Sequence, residues 1–339
     1  MDTRLLLNLM ETDGVSGREE PVSRLISKHL KKHVNKVYSD KVGNLIAIKK
    51  GKGPKIMLAA HMDEVGLIVK TIDDDGLVGL AEIGGLNIPS IINQRVEIVG
   101  KTRVPGVIST RSISNDWDFE RDKTLIMHDL FVDTGLEKKA LEKKGVMVGS
   151  TVVLKQHNGF LANNTIAYGK ALDDRAGCFI LCELAKQLKG IPHEIILVFT
   201  VQEEVGLYGA KVSVYNLEPD YCLVVDTSNA NDRMNDTPTK ILGKGPVLTI
   251  MDVEMLGNRK MNEKIEALAK RKKIPIQPEV SSAGTTDALS IAFSKGGIPT
   301  SMVGVAVRNL HTTVGMSHLD DIENCVKLLA EFLKEKNVF

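Results

Sequence analysis

The sequence predicts an α/β protein: a mostly parallel sheet flanked by helices, with a β-rich segment inserted into it. Short apolar runs end abruptly in polar residues, as buried strands do at the edge of a sheet. Amphipathic stretches of helical spacing separate the later runs, and strands that alternate with helices usually pair in parallel. The middle of the chain instead shows short strands and frequent turns. We therefore place the main domain at residues 1–66 plus 161–339 and the insert at 67–160.

The chain opens with a predicted helix and a predicted hairpin. Apolar residues at helical spacing indicate a helix within residues 18–33, and residues 37–49 are typical of two short strands around a turn at Gly43. The apolar run at 56–60 then predicts a buried strand whose exposed tip is His61.

The insert is predicted from strand and turn signals. Its helix is expected to start at the capping pair Asp133-Thr134 and to end at Lys144. Its strands are predicted at 66–72, 95–99, 104–109 and 151–156.

The last half of the chain returns to the alternating pattern. Buried strands are predicted at 195–201, 221–225 and 300–306. Amphipathic helices are predicted at 174–188, 259–272, 286–295 and 319–335.

Composition argues against several classes of partner. The 339 residues include 44 Lys plus Arg and 43 Asp plus Glu, so a formal charge of +1 creates no field that attracts nucleic acid or an anionic membrane. Aromatic residues make up 4%, too few for the stacking platforms that bind single strands. Every apolar run is well below the ~20 residues of a membrane helix. We expect neither a nucleic acid nor a membrane as partner.

Cysteine usage and the first residues indicate the compartment. Asp2 lies where a signal peptide carries only basic residues. The cysteines lie in apolar runs without a CxxC pair, which favours reduced core thiols and a cytoplasmic protein; they are Cys178, Cys182, Cys222 and Cys325.

Polar residues follow directly on the predicted buried strands. In an open α/β sheet, the carboxyl ends of parallel strands meet in the crevice where ligands bind, so residues distant in sequence converge there. Histidines and carboxylates without a thiolate suit zinc or cobalt in a catalytic site. The candidates are His61, Asp63, Asp173, Asp174, Glu203, Glu204, Asp226 and His311.

Each candidate also has an ordinary structural interpretation. Asp173 or Asp174 alone is typical of a helix N-cap, and the pair Glu203-Glu204 could be solvated loop charge. Asp226 alone could cap a turn. All of these interpretations would have to hold at once for the site to be absent, which favours a functional site.

Five motifs together resemble the tetrahedral (TET) aminopeptidase family. Their order and approximate spacing agree over nearly the whole chain. They are residues 60–66 (AHMDEVG), 171–177 (ALDDRAG), 201–206 (VQEEVG, with Gly209-Ala210), 225–226 (VD) and 310–312 (LHT). Two segments depart from the usual family pattern: 313–315 after the histidine, and 283–285 before Thr286-Asp287.

The resemblance implies a zinc-exopeptidase type of fold with a PDZ-like insert that serves in dimerisation and as a lid. It implies two divalent metal ions, zinc or cobalt, and a cis peptide bond between Asp173 and Asp174. The implied roles are His61 and Asp226 on one ion, Glu204 and His311 on the other, Asp173 bridging them, Glu203 as the catalytic carboxylate and Asp63 orienting His61.

The expected function is that of an aminopeptidase that releases N-terminal residues from short peptides with water activated at a dinuclear metal site. By resemblance we expect a homo-oligomer, a dodecamer. An amidohydrolase or deacylase of N-acyl amino acids or peptides stays open as the alternative. A glycoside hydrolase is a weaker alternative because that function gives His61 and His311 no role. A non-catalytic scaffold is also disfavoured, since it has no need of the full set of metal ligands together with Glu203.

Overall fold

The computed structural model describes residues 1–110, 125–233 and 237–336. The helices of these residues are α1 (Thr3–Glu11), α2 (Glu20–Leu30), α3 (Ile88–Ile91), α4 (Lys138–Lys143), α5 (Leu172–Ala185), α6 (Tyr208–Leu217), α7 (Arg259–Lys272), α8 (Asp287–Ala292) and α9 (Leu319–Lys334). None of them combines the length and the apolar character needed to cross a membrane.

The strands of the described residues are β1 (Lys36–Ser39), β2 (Leu45–Lys49), β3 (Lys55–His61), β4 (Gly66–Ile72), β5 (Val78–Ile83), β6 (Arg95–Val99), β7 (Arg103–Thr110), β8 (Leu130–Asp133), β9 (Thr151–Leu154), β10 (Gly159–Phe160), β11 (Ile166–Gly169), β12 (Glu194–Thr200), β13 (Tyr221–Val224), β14 (Thr227–Asn229), β15 (Val247–Met251), β16 (Gln277–Val280), β17 (Thr300–Val307) and β18 (Gly315–His318).

The main sheet confirms the predicted, mostly parallel α/β architecture. Its strand order is β1-β2-β12-β3-β13-β17-β15-β16, with β14 paired to β17. The central strands β12, β3, β13 and β17 are parallel, whereas the pairs β1–β2, β2–β12 and β15–β17 are antiparallel. The carboxyl ends of the central strands therefore meet at one edge, where Thr200 lies beside His61.

Helices cover both faces of this sheet. On one face, α1, α2, α5, α7 and α9 pack with the sheet around a large apolar cluster that includes Leu6, Phe179 and Phe332. On the other face, α6 and α8 enclose a smaller cluster around Val214 and Ile291. Nearly every residue of α5 is buried, so the site that begins at its first turn rests on a rigid support.

The insert contains a closed barrel of six strands within the described residues, in the order β4-β5-β8-β7-β6-β9. It has its own apolar core, which includes Leu67, Ile108 and Val132. The predicted helix start at Asp133-Thr134 is wrong, because Asp133 ends β8 and pairs with β7. The helix begins only at Lys138.

The chain leaves the main sheet for the barrel next to the candidate site and returns there. β4 starts at Gly66, five residues after His61, and β11 ends at Gly169, just before α5. β11 pairs with β18, which contains the atypical residue Gly315. The last residue of that atypical segment is thus paired with Gly169, three residues before α5 begins.

Candidate metal centre

The structure brings the predicted site residues together at the carboxyl edge of the sheet. His61 ends β3, Asp226 follows β13, and Asp173 lies in the first turn of α5. The His61 Nε2 atom lies 3.2 Å from Asp173 Oδ1 and 3.8 Å from Asp226 Oδ1. These three side chains form the first half of the cluster.

The second half shares Asp173. His311 Nε2, on the loop after β17, lies 3.2 Å from Asp173 Oδ2 and 3.6 Å from Glu204 Oε2. The two oxygens of one carboxylate thus face two different imidazoles.

Three overlapping groups of described side chains could each hold a metal ion, with ligand atoms within 4.8 Å of one another. They are His61, Asp173 and Asp226; Asp173, Glu204 and His311; and His61, Glu203 and Glu204. Glu203 belongs to one of these groups, so proximity by itself does not separate a ligand from a proton carrier.

The electrostatics of the cluster fit divalent cations. The side chains of Glu204 and Asp226 are 5% and 7% exposed, and Glu204 Oε1 is buried without a hydrogen-bond partner. Burial and the charge of Asp173 raise the pKa of Glu204 to about 8 and that of Asp226 to about 7. Buried carboxylates are normally paired or coordinate metals. A divalent cation would neutralise the two buried carboxylates and give Glu204 Oε1 a partner.

Asp63 contacts more than the imidazole it was expected to orient. The Nδ1 atom of His61 lies 3.4 Å from Asp63 Oδ1 and 3.1 Å from the Asp63 carbonyl oxygen. The buried carboxylate also accepts the backbone N–H groups of Glu203 and Glu204, at 3.0 and 3.1 Å, and the hydroxyl of Ser16, at 2.6 Å. Asp63 therefore links the His61 strand to the loop that carries both glutamates.

Asp174 supports the same histidine through the histidine's backbone. Its peptide bond with Asp173 is cis, as the resemblance implied. Its buried carboxylate accepts the backbone N–H of His61, at 3.3 Å, and that of Gly177, at 2.8 Å. Asp174 thus holds the backbone of the site.

Sequence reasoning missed several supporting residues. Glu19 accepts the backbone N–H of Gln202 at 3.1 Å, and Thr200 donates to the buried Asp287 at 2.6 Å. The buried Lys170 contacts Glu64 at 2.8 Å. Glu64 lies inside one of the five motifs and Lys170 directly precedes another, so the charges of these two residues were a signal that the sequence offered. A backbone acceptor leaves no such signal, as in the case of the Met62 carbonyl oxygen, which accepts a hydrogen bond from Arg175.

The cluster opens into a cavity of about 790 Å³. The lining includes His61, Asp173 and Glu203 together with residues of β14, β15 and the loop after β16. The atypical segment 283–285 belongs to this wall, so that departure from the family pattern reaches the substrate space.

A parallel sheet with a histidine and carboxylate cluster beyond its strand ends is an arrangement suited to a catalytic divalent metal. The chain belongs to the M42 glutamyl aminopeptidase family, whose sequence model matches residues 43–328. Membership in this family implies a divalent metal ion and confirms the resemblance stated above.

Similar proteins cover almost the whole chain. The lysyl aminopeptidase of Pyrococcus furiosus is 32% identical, over 99% of this chain and 97% of its own. A TET aminopeptidase structure from a marine sediment archaeon, Thaumarchaeota archaeon SCGC AB-539-E09, has a TM-score of 0.94 at 33% identity, covering 99% and 97%. The TET1 peptidase of Pyrococcus horikoshii, which can assemble into a tetrahedron or a large octahedral shell, has a TM-score of 0.88 at 30% identity, covering 98% and 99%.

These findings show the activity in outline. The chain is a metal-dependent aminopeptidase, a hydrolase of peptide bonds. They do not favour the deacylase alternative.

Proposed function

We propose that the site holds two divalent metal ions, zinc or cobalt, with His61 and Asp226 on one, Glu204 and His311 on the other, and Asp173 between them. The observation that carries this proposal is the position of Asp173, whose two oxygens each lie 3.2 Å from a different imidazole Nε2. A carboxylate that lies between two groups of ligands, with one oxygen facing each group, is an arrangement suited to two ions.

Glu203 is the proposed general base and acid. Two bound ions would supply a lowered water pKa and a polarised scissile carbonyl. The Glu203 carboxylate would take the proton of the attacking water and deliver it to the leaving amine, as general acid–base catalysis requires. The hydrogen bond from the Glu203 backbone N–H to Asp63 supports this role, because it fixes the backbone that carries the carboxylate.

The proposed substrates are short peptides with a free N-terminal amine. We expect free di- and tripeptide amides to be hydrolysed about 10²-fold faster than the same compounds after N-acetylation, because acetylation removes the charge that an acidic cluster binds, and paired buried charges are strongly coupled. The measurement is kcat/KM for matched free and acetylated compounds.

A matched control separates the deacylase alternative. A deacylase would favour N-acyl compounds with a free carboxylate, so each compound is also assayed as its C-terminal acid. Faster turnover of the acetylated acids than of the free amides would contradict the proposal.

We further propose that residues 67–160 form a PDZ-like domain for dimerisation and for covering the active site, and that the chain assembles into a homo-dodecamer. The separate core of the barrel and the connections beside His61 and Asp173 support a wall that also contacts another subunit. The reported assembly of Pyrococcus horikoshii TET1 supports a closed shell.

A cytoplasmic location is also proposed, since all four cysteines are buried free thiols.

Light scattering on the purified protein tests the assembly. We expect a mass of twelve chains of 37.1 kDa each, because the similarity to TET1, at 30% identity, covers 98% of this chain. A mass of one or two chains across micromolar concentrations would contradict the dodecamer and leave the metal chemistry untouched.

A further inference from the structure

The loop that carries Glu203 is held by buried carboxylates at three successive backbone positions. The N–H groups of Glu203 and Glu204 donate to Asp63, at 3.0 and 3.1 Å. The N–H group of Gln202, the residue before them, donates to Glu19 Oε1 at 3.1 Å. Glu19 lies 183 positions before Gln202 in the chain, so the start of this loop is held by a residue from the N-terminal part of the fold.

The Glu19 side chain is committed to this contact. Glu19 occupies the N-cap position of α2, but its side chain makes no capping hydrogen bond to that helix. Its Oε1 atom instead accepts the N–H group of Gly17, at 2.7 Å, together with that of Gln202. Glu19 is 5% exposed, and a buried carboxylate is costly unless hydrogen bonds satisfy it. Its hydrogen bonds therefore serve the loop at Gln202 and the turn at Gly17 rather than the helix.

Gln202 has a backbone conformation that its surroundings must impose. Its φ angle of 55° lies in the left-handed region, which residues other than glycine rarely adopt and which persists where neighbouring contacts enforce it. The N–H group is held by Glu19, and the carbonyl oxygen accepts the N–H group of Tyr208 at 3.3 Å. Because Glu203 is the next residue, a change of the backbone dihedral angles at Gln202 would redirect the Glu203 side chain.

The turn that carries Glu19 is itself fixed to the strand end that carries Asp63. The N–H group of Gly14 donates to the Glu64 side chain at 2.9 Å, and the Gly14 carbonyl oxygen accepts the Glu64 N–H group at 3.0 Å. The Ser16 hydroxyl donates to Asp63 Oδ2 at 2.6 Å. Glu19 thus acts from a rigid support, as a residue must if it is to hold a functional group in place.

We propose that Glu19 is a positioning residue for the catalytic step: it holds the Gln202 backbone and thereby directs the Glu203 carboxylate. The inference rests on the proposed function of the site, in which Glu203 transfers the protons. A catalytic group must be held close to its productive geometry, and a displacement of about 1 Å can cost about 10²-fold in rate. Glu19 lies outside residues 43–328, the part of the chain that the family model matches.

The test measures kcat, KM and metal content for two variants whose side chains are similar in size. Glu19→Met removes the acceptor, and we expect kcat to fall about 10-fold or more while KM and metal content stay at the wild-type values. Glu19→Gln keeps an oxygen that can accept both N–H groups, and it should retain the wild-type kcat. The substrates are the free di- and tripeptide amides described above, and kcat is referred to folded protein measured by circular dichroism.

A second background tests whether Glu19 acts through Glu203. Combined with Glu203→Gln, the change Glu19→Met should alter kcat by less than about 2-fold, because the side chain that Glu19 directs no longer carries a proton, and the effects of residues that act as a unit are not additive. A residue that only stabilised the fold would lower kcat by the same factor in both backgrounds.

Two further variants complete the set. Glu19→Asp keeps a carboxylate and shortens its reach by one methylene group, so it should show the same loss of kcat and the same dependence on Glu203 even if Glu19→Met does not fold. Glu20→Met changes the neighbouring glutamate, which is exposed, and should leave kcat at the wild-type value.

Three outcomes would overturn the inference. They are an unchanged kcat in Glu19→Met and Glu19→Asp, an equal loss in the wild-type and Glu203→Gln backgrounds, or a loss of metal in step with the loss of rate, which would make Glu19 a support of Glu204 instead. In each of these the proposed role of Glu203 stands. If Glu203→Gln alone kept the wild-type kcat, that role would fail, and the inference with it.

Discussion

The Glu203→Gln variant is expected to lose about 10²-fold or more in kcat while it keeps its full metal content, in line with the usual contribution of general acid–base catalysis. The change preserves the shape of the side chain and removes only its ability to accept and donate the catalytic proton. The backbone hydrogen bond from Glu203 to Asp63 is unaffected, so the loop should keep its position. Steady-state kinetics and metal analysis on the same sample measure both properties.

Two control variants make this result specific. Glu204→Gln should lose metal as well as rate, because Glu204 lies in the cluster around His311. Glu254→Gln removes another carboxylate of the same cavity and should change kcat little. If Glu203→Gln lost metal and Glu204→Gln kept it, Glu203 would be the metal ligand and Glu204 the general base. The structure allows this outcome to be tested, because Glu203 lies in one group of possible ligands with His61.

Removal of metal is expected to abolish activity, and zinc or cobalt should restore it. Without the ions, nothing in the proposed scheme lowers the pKa of the attacking water at neutral pH. Titration of the chelated enzyme with either ion, followed by activity, should saturate at two ions per chain. Full activity of protein shown to be free of metal would contradict the scheme.

Single histidine variants separate the two proposed ions. His61→Ala and His311→Ala should each lose metal and rate, since each removes a ligand from a different side of Asp173. His157→Ala changes an exposed histidine in the connection after β9 and should keep the wild-type stoichiometry. Unchanged metal content in both site variants would contradict the ligand assignment.

The sequence was most informative where the signal is local. Continuous apolar runs predicted β3, β12, β13 and β17 nearly to the residue, because a strand buried on both faces must be apolar throughout. It was less informative for the barrel, where β5 and β8 were missed and Asp133 was assigned to a helix. Those strands are defined by partners in other parts of the chain, which no local pattern specifies. The short helix α8 was also predicted too long, and α1 and α6 were missed.

The sequence by itself predicted the histidines and carboxylates that meet, but not the residues that support them, because polar residues that follow parallel strands have one common edge to occupy. The tertiary structure alone decided how they meet. Asp63 bonds to Ser16 and to the backbone at Glu203, and Lys240 pairs with Glu279. These contacts join residues 47, 140 and 39 positions apart, and a backbone N–H is the same for every residue except proline, so only the folded chain could reveal them.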